Sequence, residues 1–449
     1  MRELLDKEGF DRFVETMRQQ APVSIRLNPS KQPKSDIGDG WGRGTAKVPW
    51  HPWGLYLPER PVFTLDPSFH AGAYYVQEAS SMFLHEALRQ TVDFSEPLRL
   101  LDLCAAPGGK STLLADLISP ESLLVANEAI RPRVAALREN LEKWGAWNIA
   151  VTHADAGEYA ALEDWFDVVV ADAPCSGEGL FRKDPDSVRE WSPAHVEMCS
   201  VRQRHILAAA VATLRPGGVL AYSTCTFNAT ENEGNVDWLL KTFPLERLTL
   251  EIPADWGITA SAHGYRFFPH KLRGEGFFMS ILRKKDGIGQ KHRTAAAFKN
   301  INPLAKGFVP EISRWLHPDT EAKYFQTPSG EMLALPARLE NEYLVLDKFL
   351  KTKWFGTMVG ELKGKDFVPS HALALSRRIA TNLPALDLER EQALRFLKKE
   401  TFELPSDTLH GWALARYEGL NLGWVKVLPG RMNNYLPPER RIRMSLDAQ

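Results

Sequence analysis

Residues 101–111 read Leu-Asp-Leu-Cys-Ala-Ala-Pro-Gly-Gly-Lys-Ser and join an apolar run, Leu98 to Leu103, to a helical pattern, Lys110 to Ile118. Glycines at 108 and 109 let the backbone approach a ligand closely, and the helix that follows offers free backbone N–H groups to a polar group. The spacing matches neither G-x-G-x-x-G nor G-x-x-x-x-G-K-[ST], so standard phosphate binding is disfavoured. The stretch predicts a strand, a ligand loop and a helix.

Strands and helices continue to alternate after this unit. Strands are predicted at Ser122–Ala126, Phe166–Ala171, Val219–Ser223 and Phe277–Leu282, and helices at Arg131–Trp144 and Val201–Leu214. Thr230 and Glu233 form a capping-box pattern for a further helix through Leu240. This alternation is typical of a Rossmann-like, doubly wound α/β sheet.

The length of 449 residues predicts two to three domains. Residues 1–70 form a small α+β module, with Phe10, Phe13, Val14 and Met17 at helical spacing and a strand at Val23–Leu27. The α/β domain covers 71–284, a polar linker 285–299 and an intermediate region 300–375. Residues 376–449 form a β-rich domain, in which His410 to Leu428 predicts a hairpin.

Composition and charge exclude several classes of protein. The net charge is −1, so nucleic-acid binding must depend on local patches such as Arg440-Arg441-Ile442-Arg443 or Lys284-Lys285. No apolar run reaches 18 residues and the amino terminus carries acids, so neither a membrane span nor a signal peptide is expected, and the cytoplasm is the default location. The four cysteines form no C-x-x-C pair, which argues against a zinc site and for reduced thiols.

Acidic residues follow successive predicted strands. Glu128 stands where an acid commonly accepts bonds from ribose hydroxyls, Asp155 is placed to bond an adenine amino group, and Asp172 follows the next strand. Taken alone, Gly108-Gly109 fits a tight turn and Glu128 a surface acid about equally well. Their order along the chain favours a nucleoside ligand across the sheet edge.

Two cysteines end buried strands in similar surroundings, Asp172-Ala173-Pro174-Cys175-Ser176-Gly177 and Ser223-Thr224-Cys225-Thr226. In a parallel sheet both thiols would reach the same edge, which suggests a nucleophile and a partner that assists release. A single cysteine at a strand end is more often a small buried hydrophobe, which is how we interpret Cys199.

The run 101–111 resembles the S-adenosylmethionine loop of the RNA cytosine-C5 methyltransferase family, and residues 172–177 and 222–228 resemble its two cysteine motifs. Residues 74–82 resemble the lead-in to its catalytic domain and Arg26-Leu27-Asn28 its amino-terminal module. Residues 410–443 resemble the PUA-like, RNA-binding end of the bacterial RsmF type.

The resemblance implies S-adenosylmethionine as cofactor and a role for each matching residue. Glu128 would hold the ribose, Asp155 would face the adenine and Asp172 would complete the pocket; many relatives have Asp at position 128, so the longer acid should shift the ribose slightly. Cys225 would be the nucleophile and Cys175 would assist release, while Lys110 would fix the loop or lower a thiol pKa. The cofactor loop would be formed by Cys104, Ala105, Ala106, Pro107, Gly108, Gly109 and Lys110.

The implied partner is RNA, most directly 16S ribosomal RNA or the small ribosomal subunit, with the target base flipped or single-stranded. No metal is expected, and the protein is expected to be a monomer. Two alternatives stay open: a transfer-RNA methyltransferase, and an assembly factor that binds RNA without chemistry. A ribose 2′-O-methyltransferase could share the glycine loop but would need no thiol pair.

Overall fold

A computed structural model describes residues 1, 4–33, 44–285, 287–290, 292–364, 366–402 and 410–445. Parts of the predicted amino-terminal module (34–43), linker (286 and 291) and carboxyl-terminal domain (403–409 and 446–449) lie outside the described residues.

The amino-terminal module packs one helix and a small antiparallel sheet beside the rest of the chain. Its elements are α1 (Lys7–Met17), β1 (Val23–Leu27), β2 (Ala46–Lys47), β3 (Gly54–Leu57), α2 (Pro67–Ala71) and β4 (Tyr74–Val76). The strands lie in the order β2-β3-β1-β4. The predicted helix and strand are both present, and the apolar face of α1 reaches the α/β domain, where the Phe13 and Phe227 rings lie 5.2 Å apart.

The α/β domain contains a large mixed sheet with helices on both faces. Its elements are α3 (Phe83–Thr91), β5 (Arg99–Asp102), α4 (Gly109–Leu117), β6 (Leu123–Asn127), α5 (Arg131–Trp144), β7 (Ile149–Thr152), β8 (Phe166–Asp172), α6 (Pro185–Glu190), α7 (Pro193–Thr213), β9 (Leu214–Thr224), α8 (Glu233–Thr242), β10 (Leu245–Arg247), β11 (Thr259–Ala260), β12 (Tyr265–Phe267) and β13 (Phe277–Lys284).

The strand order is β11-β12-β13-β9-β8-β5-β6-β7, and β10 pairs with β13. The strands β9, β8, β5, β6 and β7 are parallel, and β13 is antiparallel to β9. Leu101 and Val169 belong to one buried apolar cluster, while Leu100 and Val168 belong to another. Because both faces are covered by apolar packing, the doubly wound α/β prediction is confirmed.

Two details of the predicted elements are wrong. Helix α7 begins at Pro193 rather than at Val201, because Ser192 Oγ accepts a hydrogen bond from His195 N at 3.1 Å and so caps an earlier start. The capping box at Thr230 and Glu233 does not form, since no side chain caps α8 and the Glu233 carboxylate pairs with Arg266 at 2.7 Å.

The carboxyl-terminal region contributes two further sheets, β14-β15-β16-β18-β19 and β20-β21-β22-β23. Its elements are β14 (Asn302–Pro303), α9 (Val309–Ser313), β15 (Ala322–Gln326), β16 (Glu331–Pro336), α10 (Glu340–Phe349), β17 (Thr352–Phe355), β18 (Thr357–Lys363), β19 (Asp366–Pro369), α11 (His371–Leu375), β20 (Ala385–Asp387), α12 (Arg390–Lys398), β21 (Gly411–Tyr417), β22 (Leu420–Leu428) and β23 (Arg431–Asn434). The predicted hairpin is confirmed, and its turn residues Glu418 and Gly419 have φ values of 50° and 79°.

Strand β17 lies away from its neighbours in sequence and pairs antiparallel with β7, with Thr352 opposite Thr152. The carboxyl-terminal region therefore completes one edge of the large mixed sheet. Arg440 adds to this contact with ion pairs to Glu139 at 3.0 Å and Glu142 at 2.6 Å in α5. Among the described residues no helix is long and apolar enough to cross a membrane.

Candidate active site

The two cysteines of the paired motifs meet at the carboxyl ends of neighbouring parallel strands. Asp172, the last residue of β8, is in register with Ser223 in β9, so the loops that follow start at the same edge. The Sγ atoms of Cys175 and Cys225 lie 3.0 Å apart, and both residues are half-buried free thiols. The convergence expected from the spacing is therefore present in the fold.

The two sulfurs differ in their surroundings. The hydrogen bond with Cys225, together with burial, raises the pKa of Cys175 well above the ordinary value for a thiol. Cys175 therefore keeps its proton at neutral pH and can donate it toward the sulfur of Cys225. This arrangement suits a role for Cys175 as a neutral thiol that donates a hydrogen bond to the neighbouring sulfur.

A close backbone contact holds the loop that carries Cys225. The Gly179 N–H donates to the Cys225 carbonyl at 2.8 Å. A Cβ atom at position 179 would lie 2.7 Å from that carbonyl oxygen and 2.4 Å from the carbonyl oxygen of Gly276. Only glycine allows this approach, so the absence of a side chain at 179 sets the position of the Cys225 backbone.

The predicted cofactor loop leaves β5 and enters α4, and helix α5 fixes its carbonyl groups. Arg133 Nη2 donates to the Ala106 carbonyl at 2.5 Å, and Asn140 Nδ2 donates to the Pro107 carbonyl at 2.8 Å. Gly108 has φ 113° and no side chain caps the start of α4. The first-turn N–H groups of α4 are thus presented by a loop of fixed shape.

Cys104 lies in this loop but differs from the thiol pair. Burial is the main cause that raises the pKa of Cys104, and the negative charge of Asp102 adds to it. Cys104 therefore keeps its proton at neutral pH and is not suited to act as a thiolate. Cys199 is also buried, 2% exposed in α7, in agreement with its interpretation as a packing residue.

Lys110 connects the cofactor loop to the cysteine edge. Its Nζ lies 2.6 Å from Asp172 Oδ2, and Asp172 Oδ1 accepts a hydrogen bond from Ser223 Oγ at 2.7 Å. Burial opposes the charge on Lys110, but Asp172 more than compensates and the pKa of the ammonium is raised, with a smaller contribution from Cys225. A cation of the predicted cofactor loop therefore pairs with the acid that ends β8, at the sheet edge that also carries Cys175 and Cys225.

The two acids expected to bind a nucleoside occupy different environments. The Glu128 carboxylate is buried at the end of β6, where it accepts from Ile130 N at 2.8 Å and lies 3.4 Å from Arg133 Nη1. The Asp155 side chain is 67% exposed and accepts from Gly157 N at 3.0 Å, with His205 Nε2 at 3.2 Å. Glu128 adjoins the cofactor loop through Arg133, whereas Asp155 caps a short helix at the next strand end.

Asp102, the last residue of β5, is a polar group at the base of the loop that was not among the expected cofactor residues. Ser111 Oγ donates to its Oδ2 at 2.6 Å, and its Oδ1 is buried without a partner in the described part of the chain. Burial raises the pKa of Asp102 to about 7. Its position in the sequence could have indicated this role, because Asp102 is an acid in an otherwise apolar strand that runs into the loop.

Comparison with known proteins identifies three segments of the chain. Residues 90–283 match the family model described as 16S rRNA methyltransferase RsmB/F, residues 1–79 match the N-terminal domain of 16S rRNA methyltransferase RsmF, and residues 383–442 match the methyltransferase RsmF PUA domain.

Curated relatives match along nearly the whole chain. Proteins named ribosomal RNA small subunit methyltransferase F are 31% identical in Shewanella loihica (97% of this chain, 92% of that one) and 32% identical in Erwinia tasmaniensis (98% and 95%). A solved methyltransferase homolog protein from Pyrococcus horikoshii is 30% identical with a TM-score of 0.52, over 61% of this chain and 90% of that one. NSun6 from the same organism, crystallised with SFG, has a TM-score of 0.54 at 22% identity, over 64% and 97%, and supports the fold.

Proposed function

Because this chain belongs to the 16S rRNA methyltransferase RsmB/F family, we propose that it methylates C5 of a cytosine in small-subunit ribosomal RNA, through a covalent adduct with Cys225. The observation that carries the chemical part of this proposal is the pair of thiols 3.0 Å apart at one edge of the sheet, and the raised pKa of Cys175 supports it. A methyltransferase that acts on a ribose hydroxyl has no use for such a pair.

The residues around the loop fit S-adenosylmethionine as the methyl donor. Buried Asp102 leaves one carboxylate oxygen without a partner in the described structure, and the uncapped start of α4 suits a carboxylate. In this proposal residues 104–110 line the cofactor, Glu128 accepts from its ribose and Asp155 faces its adenine. When bound, S-adenosylmethionine supplies the methyl group that cytosine C5 takes up.

The thiols act on the base. The Cys225 thiolate adds to C6, a C6–S bond forms, and the electron pair of the C5–C6 double bond moves to C5, which becomes nucleophilic. After methylation a base removes the C5 proton, the C5–C6 double bond forms again and the C6–S bond breaks. The electrons of that bond return to sulfur, and the neutral thiol of Cys175 stabilises the departing thiolate by donating to it.

Lys110 and Asp172 support this chemistry from the cofactor side. The cation of Lys110 favours negative charge on Cys225, whereas Asp172 holds the cation in place and limits its effect. The target base must leave any helix to expose C6 to sulfur. We assign residues 1–70 and 376–449 to RNA binding, 71–284 to catalysis, 285–299 to a linker and 300–375 to an intermediate region, in a monomer that acts in the cytoplasm.

The test compares purified small-subunit RNA, assembled small subunits and transfer RNA as substrates, with a labelled methyl donor and bisulfite sequencing of the products. We expect 5-methylcytosine in ribosomal RNA with wild-type protein and none with Cys225→Ala. If only transfer RNA is methylated, the substrate is transfer RNA and not ribosomal RNA. RNA binding without methylation would favour the assembly-factor alternative.

A further inference from the structure

Glu231 and Asn232 follow Cys225 by six and seven positions, in the turn before α8. Both side chains are fully buried. Neither caps the helix, although this is the place in the chain where polar residues usually do so. Burial of a carboxylate and an amide is costly unless each is fully hydrogen-bonded, so the partners of these two residues indicate what they do.

Glu231 turns toward the loop of the release cysteine. Its carboxylate accepts from Ser176 N at 3.0 Å and from Ser176 Oγ at 2.5 Å. It also accepts from Gln203 Nε2 at 2.7 Å, and the same amide lies 2.9 Å from the Pro174 carbonyl. Because Cys175 stands between Pro174 and Ser176, Glu231 fixes the backbone directly on one side of that thiol and through Gln203 on the other.

Asn232 turns the other way, toward the loop of the nucleophile. Its Oδ1 accepts from Thr224 Oγ1 at 2.6 Å, and its Nδ2 donates to the Thr226 carbonyl at 2.9 Å. These two residues flank Cys225, so a single amide holds the side chain of Thr224 on one side of that thiol and the backbone of Thr226 on the other. The two loops are then joined directly, since Ser176 Oγ and Thr226 Oγ1 lie 3.0 Å apart.

We propose that Glu231 and Asn232 are positioning residues that hold the two thiols in register, with Asn232 acting on attack by Cys225 and Glu231 acting on release through Cys175. This rests on the proposed function. These two consecutive, fully buried residues place the two loops relative to each other through hydrogen bonds within the protein. The two steps of the reaction therefore depend on different members of one dipeptide.

Each variant weakens the hydrogen bonds to one of the two cysteine loops with little change in side-chain volume. Asn232→Asp loses the N–H donor to the Thr226 carbonyl. Glu231→Gln puts an NH₂ group where a carboxylate oxygen accepts from Ser176 or Gln203, so that one of these hydrogen bonds is lost. Matched controls at the opposite edge of the sheet are Asn148→Asp, since Asn148 donates to the carbonyls of Ser119 and Ser122, and Asp167→Asn, since Asp167 accepts from Arg99 N.

The experiment measures the two steps separately. In the presence of S-adenosylmethionine, RNA with 5-fluorocytosine traps the adduct after attack and methyl transfer, because fluorine replaces the C5 proton that a base must remove before sulfur can leave. Ordinary RNA reports any adduct that accumulates before release. We expect Asn232→Asp to slow trapping about 10- to 100-fold. We expect Glu231→Gln to trap within about twofold of the wild-type rate and to accumulate adduct on ordinary RNA.

The controls should leave both measurements near wild type. Equal loss in both steps for both variants, or no loss in either, would overturn the proposal. Should Glu231→Gln fail to fold, Ser176→Ala removes one of its contacts and should show the same accumulation more weakly; normal release in that variant also counts against the proposal. Failure of the wild-type protein to trap fluorinated RNA would instead contradict the proposed function.

Discussion

Arg26 Nη1 donates to Asp116 Oδ2 at 2.9 Å, which joins the amino-terminal sheet to the helix that follows the cofactor loop. The guanidinium is fully buried, and its other nitrogens reach Gln77 Oε1 at 2.8 Å and the Gly109 carbonyl at 3.3 Å. Burial lowers the pKa of Arg26 to about 10, so the group stays charged at neutral pH. The amino-terminal module therefore contacts the first residue of α4 directly.

Replacing this guanidinium should weaken cofactor binding from a distance. Arg26→Lys keeps the charge but loses the planar fork that serves several acceptors, so we expect affinity for S-adenosylmethionine to fall about tenfold by calorimetry. Arg60→Lys is the control, since Arg60 is exposed and lies over the Phe63 ring at 5.4 Å. Equal affinity in wild type and Arg26→Lys would show that the module does not shape the loop.

Asp102 should make the protein without cofactor less stable at neutral pH than at pH 4. Burial raises the pKa of Asp102 from 3.8 to about 7, so the folded state holds this proton more tightly than the unfolded chain. Raising the pH from about 4 to about 7 therefore lowers the free energy of unfolding, by at most about 4 kcal/mol from this group.

Asp102→Asn should remove this pH dependence and raise stability at pH 7, as measured by urea unfolding across that range. The same variant should bind S-adenosylmethionine more weakly, because an amide oxygen is a weaker hydrogen-bond acceptor than the unpartnered carboxylate oxygen of Asp102 at the base of the loop. A stability profile identical to wild type would contradict the buried, proton-holding state of Asp102.

The release step should be insensitive to pH in the neutral range. Because the bond to Cys225 and burial raise the pKa of Cys175 above the ordinary 9.0, the thiol stays protonated and able to donate through pH 9. Rapid-quench measurement of adduct breakdown should give a flat profile from pH 7 to 9, and Cys175→Ala should accumulate adduct throughout. A release rate that climbs tenfold per pH unit would mean that Cys175 acts as a base instead.

Adding one methyl group beside the nucleophile loop should impair attack. In Gly179→Ala the new Cβ would lie 2.7 Å from the Cys225 carbonyl oxygen, so the loop must shift. We expect at least about tenfold slower trapping of 5-fluorocytosine RNA. Gly307→Ala, where a Cβ meets nothing within 4 Å, is the matched control and should trap at the wild-type rate.

The meeting of Cys175 and Cys225 could be predicted because it follows from local features. Each residue ends a buried apolar strand, and parallel neighbours bring their ends to one edge. The residues that hold the thiols in place could not be found in this way. Glu231 and Asn232 stand where helix caps usually occur, and only the path of the loops in space shows that their side chains turn toward the cysteines.

The region 300–375 could not be classified from its sequence for a different physical reason. Its strands are short, and β17 has its partner β7 about 200 positions earlier in the chain. Hydrophobic periodicity reports which faces of a segment are buried and does not show which distant strand it pairs with. Asp102 was missed because an acid within an apolar run is easily attributed to the end of the strand.

The pairing of β17 with β7 has a consequence for how the protein is made. Strand β7 emerges from the ribosome well before β17, and at about 5 to 20 residues per second the delay is on the order of 10 to 40 seconds. During that time the nascent catalytic domain carries an open strand edge, a feature that invites pairing with other chains. The large sheet is therefore completed only after residues 352–355 have been translated, so a chain that ends before them would leave the β7 edge open to other chains.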